Sequence, residues 1–312
     1  MDKSYKPIVF LFGPTASGKT DLAIKLAKRF PVELISVDSV MVYKDCDIGS
    51  AKPNKNILEK YPHHLVDIVS PNEVFNVSDF CKNSKKIIEI SHSKNKLPIF
   101  VGGSMMYLKS LYSGLYDLPE RDQEFRESLK KLKSNENDYF LYKKLNQIDP
   151  EYAKKIHKND EVRVIRALEI YEKTGRKMSE IFSNSRKNSL SDKFNIIQFC
   201  ISIDREIIHE RIKKRLIKII ELGLIDEAKK LLINYDLDLN HPIRRSVNYK
   251  QAFEFIEKKY DYETFFDKAL FATRQLAKRQ TTWIRSWNKF EEIDPSKPDN
   301  IINSVKKLIT AL

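Results

Sequence analysis

The run Gly13-Pro14-Thr15-Ala16-Ser17-Gly18-Lys19-Thr20 has the residue types and the spacing to hold phosphate. Its two glycines let the backbone fold tightly so that successive N–H groups face one anion. Lys19 adds a point charge, and Thr20 offers a hydroxyl to Mg²⁺. The apolar pentad Ile8–Phe12 precedes the run, and a helix is expected after it from about Asp21 to Phe30, with its positive end turned to the anion. An ordinary Gly-rich turn between a strand and a helix is the bland reading of the same residues. A second β-rich run, Val32–Val37, ends in Asp38-Ser39. Strand carboxyl ends line the ligand crevice of open α/β sheets, so Asp38 is expected beside the phosphate loop. It would serve there as a reacting carboxylate, or else as a helix cap or a partner of the Mg²⁺ site.

The elements that must position these groups follow from periodicity. Strands are expected at Ile8–Phe12, Val32–Val37, Leu97–Val101 and Ile196–Ile203, separated by helical stretches. One helix opens near Phe75–Phe80, with Ser78 as its cap, and runs to about Ser93. Another is capped by Asp204, shows an apolar face of Ile208, Ile212, Leu216 and Ile219, and stops at Gly223. Such alternation gives an α/β fold, a doubly wound parallel sheet with helices on both faces. From about Tyr116 helical periods replace strand signals, so residues 116–194 are expected to form a helical insertion domain within an α/β core of 1–115 and 195–312. The clearest helix of the insertion is capped at Asn159-Asp160 and ends near Gly175. Arg163 and Arg166 share one of its faces, to grip phosphate or simply to meet solvent. The serine-rich stretch Ser183–Lys193 reads as the linker back to the core.

Composition narrows the class. Lysine and arginine outnumber acidic residues to a net +13 in 312 residues, which fits a polyanionic partner such as nucleic acid, or else a lysine-rich proteome. Cys46, Cys81 and Cys200 are odd in number and lack C-x-x-C spacing, which points to a reducing cytoplasm and away from zinc. No apolar run approaches a membrane span, and Met1–Pro7 does not resemble a signal peptide. His63-His64 lacks a third ligand, so structural or substrate contacts are expected of it. Neither N-K-x-D nor a D-x-x-G strand end is present, so a GTPase switch protein is excluded. Glycine is scarce, and Gly102-Gly103 closes a strand much as Gly13 follows one. In the last third, Pro242–Gln251 and a long helix over Thr264–Trp287 interleave Arg274, Lys278 and Arg285 with Tyr249 and Trp283. Phosphate contacts with base stacking, or a basic surface over core aromatics, both account for that pattern.

Val37-Asp38-Ser39, Tyr43, Asp47-Ile48-Gly49, Ala51-Lys52-Pro53, Val101-Gly102-Gly103, Asn159-Asp160, Arg166-Ala167-Leu168-Glu169, Thr273-Arg274-Gln275 and Lys278-Arg279-Gln280 occur in that order. In these motifs the chain resembles the bacterial tRNA dimethylallyltransferases, the isopentenyl transferases of tRNA, along nearly its whole length. The resemblance implies a P-loop kinase-like sheet core, a helical insertion domain, and a channel between them in which a flipped adenine meets a diphosphate. It implies transfer of a dimethylallyl group from dimethylallyl diphosphate to N6 of the adenosine 3′ of the anticodon, in tRNAs reading codons that begin with U. No membrane and no obligate protein partner is implied, and nothing in the sequence requires more than a monomer.

Carried over by residue, the resemblance makes Asp38 the general base, Ser104 a hydrogen-bond donor near the reacting centre, and Lys19 and Arg215 the cations on the diphosphate, with Arg211 as substitute for Arg215. Gly13, Pro14, Thr15, Ala16, Ser17, Gly18, Lys19 and Thr20 would cradle the diphosphate where such loops usually hold ATP, with Thr20 on Mg²⁺. The surfaces implied to face tRNA are Asp38, Ser39, Val40 and Met41; Val162, Arg163, Val164, Ile165 and Arg166; and Arg245, Ser246, Val247, Asn248, Tyr249 and Lys250. Lys278, Arg279, Gln280, Thr281, Thr282, Trp283, Ile284 and Arg285 complete them, with Ser104 and Arg126 as further contacts. The chain departs from the family pattern where Met41 and Val162 replace frequent glutamines, Ser104-Met105 stands for Thr-Gly, and Asn248 stands for glycine. Asparagine tolerates positive φ, and Ser104 keeps the hydroxyl. The competing readings are a small-molecule or nucleotide kinase, for which the basic C-terminal third has no use, and a non-catalytic RNA-binding protein whose loop merely holds an anion.

Overall fold

The computed structural model describes residues 5–134, 139–184, 189–287, 289–310 and 312. Among them, six strands pair into one sheet: β1 (Pro7–Phe12), β2 (Val32–Val37), β3 (His63–His64), β4 (Leu97–Gly102), β5 (Asn195–Ile201) and β6 (Glu291–Ile293), in the order β3-β2-β4-β1-β5-β6. Every pairing is parallel. All of β1 is buried, as a central strand covered on both faces must be. Side chains two apart share a face. Val9 and Leu11 therefore join Ile99, Val101, Phe199 and Ile201 against Leu22, Ala23 and Leu26 of the helix Lys19–Ala27 and Ile301 and Val305 of the helix Asp299–Thr310. On the opposite face Phe10 and Phe100 meet edge to face at 5.4 Å, and Phe80 of the helix Val77–Ser93 approaches Phe100 at 6.5 Å. Burial of each such ring stabilises the sheet by about 2–3 kcal/mol.

The chain divides into two compact units, residues 1–112 with 190–312, and residues 113–189. The second unit is helical among its described residues. Leu129, Leu141, Leu145, Val164, Leu168 and Met178 form its core. Its helix Glu161–Thr174 starts where the Asp160 side chain accepts from the Arg163 amide, and stops at Gly175, whose φ of 66° lies in the left-handed region.

Local differences from the sequence reading have local causes. β3 and β6 are edge strands of two and three residues, too short to show a period. The helix Val77–Ser93 is capped by Asn76, not Ser78: Asn76 accepts from the Ser78 and Asp79 amides while Asp79 reaches back to the Asn76 amide. Asp204 precedes the helix Arg205–Glu221 without a side-chain cap bond. The stretch Ser183–Lys193 is not a bare linker. The helix Met178–Asn184 enters it and a 3₁₀ turn, Leu190–Asp192, anchors it through buried Leu190, while residues 185–188 lie outside the described residues. No helix among the described residues is long and apolar enough to cross a membrane.

Candidate active site

Strand register assembles the site. Phe12 pairs with Gly102, and Gly102 with Val37, so Gly13, Gly103 and Asp38 leave the sheet side by side from β1, β4 and β2. Neighbouring strands lie about 4.8 Å apart, which sets three loops beside one another over roughly 10 Å. A Cβ on Gly102 would come within 2.1 Å of the Val37 carbonyl oxygen, so glycine there permits the close approach of β4 to β2. The Ser104 amide donates to that same Val37 oxygen at 3.2 Å, which fixes Ser104 next to Asp38.

At the phosphate loop, Gly18 turns the chain with φ 93° and ψ 16° directly before Lys19–Ala27, a conformation glycine adopts without strain. The Lys19 ammonium donates to the carbonyls of Gly13 at 3.0 Å and Pro14 at 2.6 Å, folded against its own loop. Arg215, from Arg205–Glu221, donates to Thr15 Oγ1 at 3.3 Å. Burial first, and then the neighbouring Arg215, pull the Lys19 pKa from 10.5 down to about 7, with Asp38 opposing. Burial likewise lowers that of Arg215. Two desolvated cations side by side raise the local affinity for an anion with more than one negative charge.

Asp38 Oδ1 accepts from the Val40 amide at 2.8 Å and the Met41 amide at 3.1 Å. The carboxylate therefore closes the turn that follows β2, in an Asx-type capping role, while also lining the cavity. That cavity, of about 1500 Å³, lies within the sheet-bearing unit. Among the expected groups it is lined by Thr15, Ala16, Ser17, Gly18, Lys19, Thr20, Asp38, Ser39, Val40, Met41, Ser104, Arg211, Arg215, Arg245, Ser246, Val247, Asn248, Arg279, Gln280 and Trp283. Asn248 has φ 74°, a left-handed value that asparagine tolerates better than most residues. Trp283 is 42% exposed where it lines the cavity.

Other expected contacts fall elsewhere. Tyr249 does not stack on a ligand: it is fully buried, and its hydroxyl donates to Glu227 at 2.6 Å. Ile284, Val164 and Ile165 are core residues. The Thr281 and Thr282 hydroxyls turn back onto carbonyls of their own helix, Tyr262–Arg285. Lys250, Lys278 and Arg285 are exposed outside the cavity lining. In the helical unit Arg163 and Val162 face solvent. Arg126 and Arg166 are instead committed to buried Glu169, Arg126 through Nε at 2.7 Å and Nη2 at 2.8 Å and Arg166 through Nη1 at 2.5 Å.

Several arrangements could not be read from spacing, and Glu227 gave no sequence signal at all. Glu227 accepts from the Asp47, Ile48 and Gly49 amides, folding that segment from across the chain. The Lys52 ammonium, on a side chain only 2% exposed, donates to Tyr43 O at 3.0 Å and Asp47 at 2.6 Å and also pairs with Asp67. His63 donates through Nδ1 to the Tyr61 carbonyl at 2.8 Å, leaving Nε2 buried without a partner as the residue lines the cavity. Adjacent His64 turns away to Glu33 at 3.0 Å, as alternation along a strand requires. Among the described residues no group of three or more His, Cys, Asp or Glu is placed to hold a metal.

Comparison with known proteins gives consistent matches. The family model described as IPP transferase matches residues 41–287. A tRNA dimethylallyltransferase of Acinetobacter baumannii (strain SDF) is 43% identical over 294 residues, 92% of each chain. Among solved structures, the tRNA isopentenylpyrophosphate transferase of Bacillus halodurans aligns with a TM-score of 0.70 at 32% identity, covering 98% of this chain and 97% of that one. A eukaryotic dimethylallyltransferase captured acting on tRNA aligns with a TM-score of 0.79 at 29% identity, covering 97% of this chain and 78% of that one. With the family model spanning most of the chain and such relatives spanning nearly all of it, the chain belongs to the IPP transferase family of prenyl-transferring enzymes.

Proposed function

We propose that this transferase moves a dimethylallyl group from dimethylallyl diphosphate to N6 of the adenosine 3′ of the anticodon, in tRNAs reading codons that begin with U. One observation carries the reading. A carboxylate (Asp38), a hydroxyl (Ser104) and a phosphate loop backed by Lys19 and Arg215 line one cavity at the ends of adjacent strands. In the proposed step the N6 lone pair attacks C1 of the allyl group. The C1–O bond breaks, diphosphate leaves with the electron pair, and the N6 proton passes to Asp38. Lys19, Arg215 and the loop amides stabilise the departing charge. Thr20 lines the same cavity, and its hydroxyl would hold Mg²⁺ together with diphosphate oxygens and water. When bound, that ion would neutralise charge on the leaving group. Exposed Arg245, Arg279 and Trp283 supply phosphate contacts and stacking for a tRNA loop whose adenosine is turned out of its stack, and the helical unit by itself exposes Arg163 for a phosphate. The reading places the reaction in the cytoplasm, with a monomer and no obligate protein partner. The test is incubation with dimethylallyl diphosphate, Mg²⁺ and unmodified tRNA, followed by nucleoside mass analysis. N6-dimethylallyladenosine beside the anticodon is expected, and an unmodified tRNA with a suitable anticodon loop would overturn the proposal.

A further inference from the structure

We infer that Gln280 is a positioning residue that sets the distance between the diphosphate loop and the edge carrying Ser104 and Asp38. Its carboxamide spans the two. Oε1 accepts from the Thr15 amide at 2.8 Å, and Nε2 donates to the Gly103 carbonyl at 3.0 Å. The link continues along the backbone, since the Ser104 amide donates to Val37 O and Asp38 follows directly. Thr15 is held from its other side by Arg215 on its hydroxyl. Gln280 is 9% exposed, and a Cβ on Gly103 would come within 2.4 Å of Gln280 Nε2, so the glycine makes room for the amide. Only a side chain with a donor and an acceptor on one rigid plane satisfies both loops at once. The groups to be held are the loop that carries the leaving diphosphate and the carboxylate that takes the N6 proton, whose separation must suit the N6–C1–O line of transfer, where a 1 Å error can cost about 10²-fold in rate.

The residue sits on Tyr262–Arg285, the helix that presents Arg279 and Trp283 to the cavity. Its amide, however, is consumed by protein backbone and is not left for RNA. This inference rests on the proposed reaction for its kinetic arm alone, so the test has two arms. Gln280→Glu keeps an acceptor for Thr15 and loses the donor to Gly103, while Gln280→Met loses both in a similar volume. In hydrogen exchange of the wild-type and variant proteins, segments 13–20 and 101–105 should lose protection together in Gln280→Met, and mainly 101–105 in Gln280→Glu. In the transferase assay kcat should fall by about 10²-fold, with KM for tRNA and for dimethylallyl diphosphate each moving less than about threefold. Unchanged exchange at both loops overturns the inference whether or not the wild type transfers a prenyl group. A raised KM for tRNA at unchanged kcat overturns it in favour of direct RNA contact. If Gln280→Glu does not fold, Gln280→Met carries both arms, and a wild type without transferase activity counts against the proposed reaction while leaving the exchange arm in force.

Discussion

Replacing Glu169 by glutamine should loosen the helical unit by a predictable amount. The Glu169 side chain is fully buried and accepts from Arg126, Arg166 and the Asp122 amide, the last at 2.6 Å. Burial alone would raise its pKa, but hydrogen bonds from Arg126, the Asp122 amide and Arg166 outweigh that and pull it from 4.5 down to about 2. The folded value lies below the unfolded one. The contribution to stability is therefore fully present above pH 4.5 and lost as pH falls through about 2, and a shift of that size corresponds to about 3 kcal/mol. The Glu169→Gln change would keep the shape while leaving two half-buried guanidinium groups without a counter-charge, a loss of about 3–5 kcal/mol at neutral pH. Hydrogen exchange of the amides in Glu161–Thr174, followed from pH 7 down to pH 2, reads both effects. The wild type should lose protection between pH 4.5 and 2, and the variant should start low and lose little more. A variant with wild-type protection at pH 7, or one with the same loss in acid, would refute the reasoning.

Asp38→Asn retains the oxygen that the Val40 and Met41 amides need but takes up no proton. Turnover should fall by about 10² or more while tRNA and donor binding persist in filter-binding and calorimetric measurements, and unchanged turnover would remove Asp38 as base. Arg163→Ala should weaken tRNA binding and flatten its salt dependence by about one counterion with unchanged thermal stability. Arg166→Ala should mainly lower the melting temperature, because its guanidinium serves Glu169. Gly102→Ala sets a Cβ against backbone at Val37 and should cost about 1–3 kcal/mol or prevent folding, as read by urea denaturation, and a neutral result would show that β4 can yield there.

Local signals carried the main architecture. The central strands, the tight turn from β1 into Lys19–Ala27, the Asp160 cap and the apolar face of Arg205–Glu221 were legible because each is written in consecutive or periodic residues. Residues that act through distant partners were not. Glu227 sits 178 positions from the Gly49 amide it holds, and Gln280 sits 265 from Thr15, and no spacing rule encodes such pairs. The same limit hid the partner of Arg126 and Arg166, which the family resemblance implied as tRNA contacts. A basic residue on a helix looks alike in sequence whether it faces solvent or a buried carboxylate, and only the pairing with Glu169 tells the two apart. Tyr249 failed as a stacking residue for a related reason, since an aromatic amid arginines does not disclose which way its helix turns.

The position of β1 between β4 and β5 also bears on how the chain folds as it leaves the ribosome. Its pairing with β4 joins Val9 to Ile99, whereas its pairing with β5 joins Pro7 to Asn195, across the whole helical unit. The N-terminal half can therefore shape strands β1, β2 and β4 and the phosphate loop while the insertion is still being synthesised. One long edge of β1 waits for β5, and the Thr15 amide waits longer, until residue 280 arrives. Non-local closures of this kind slow folding and leave a strand edge uncovered meanwhile. The Gly13–Thr20 loop is thus laid down well before the residue that ties its Thr15 amide in place.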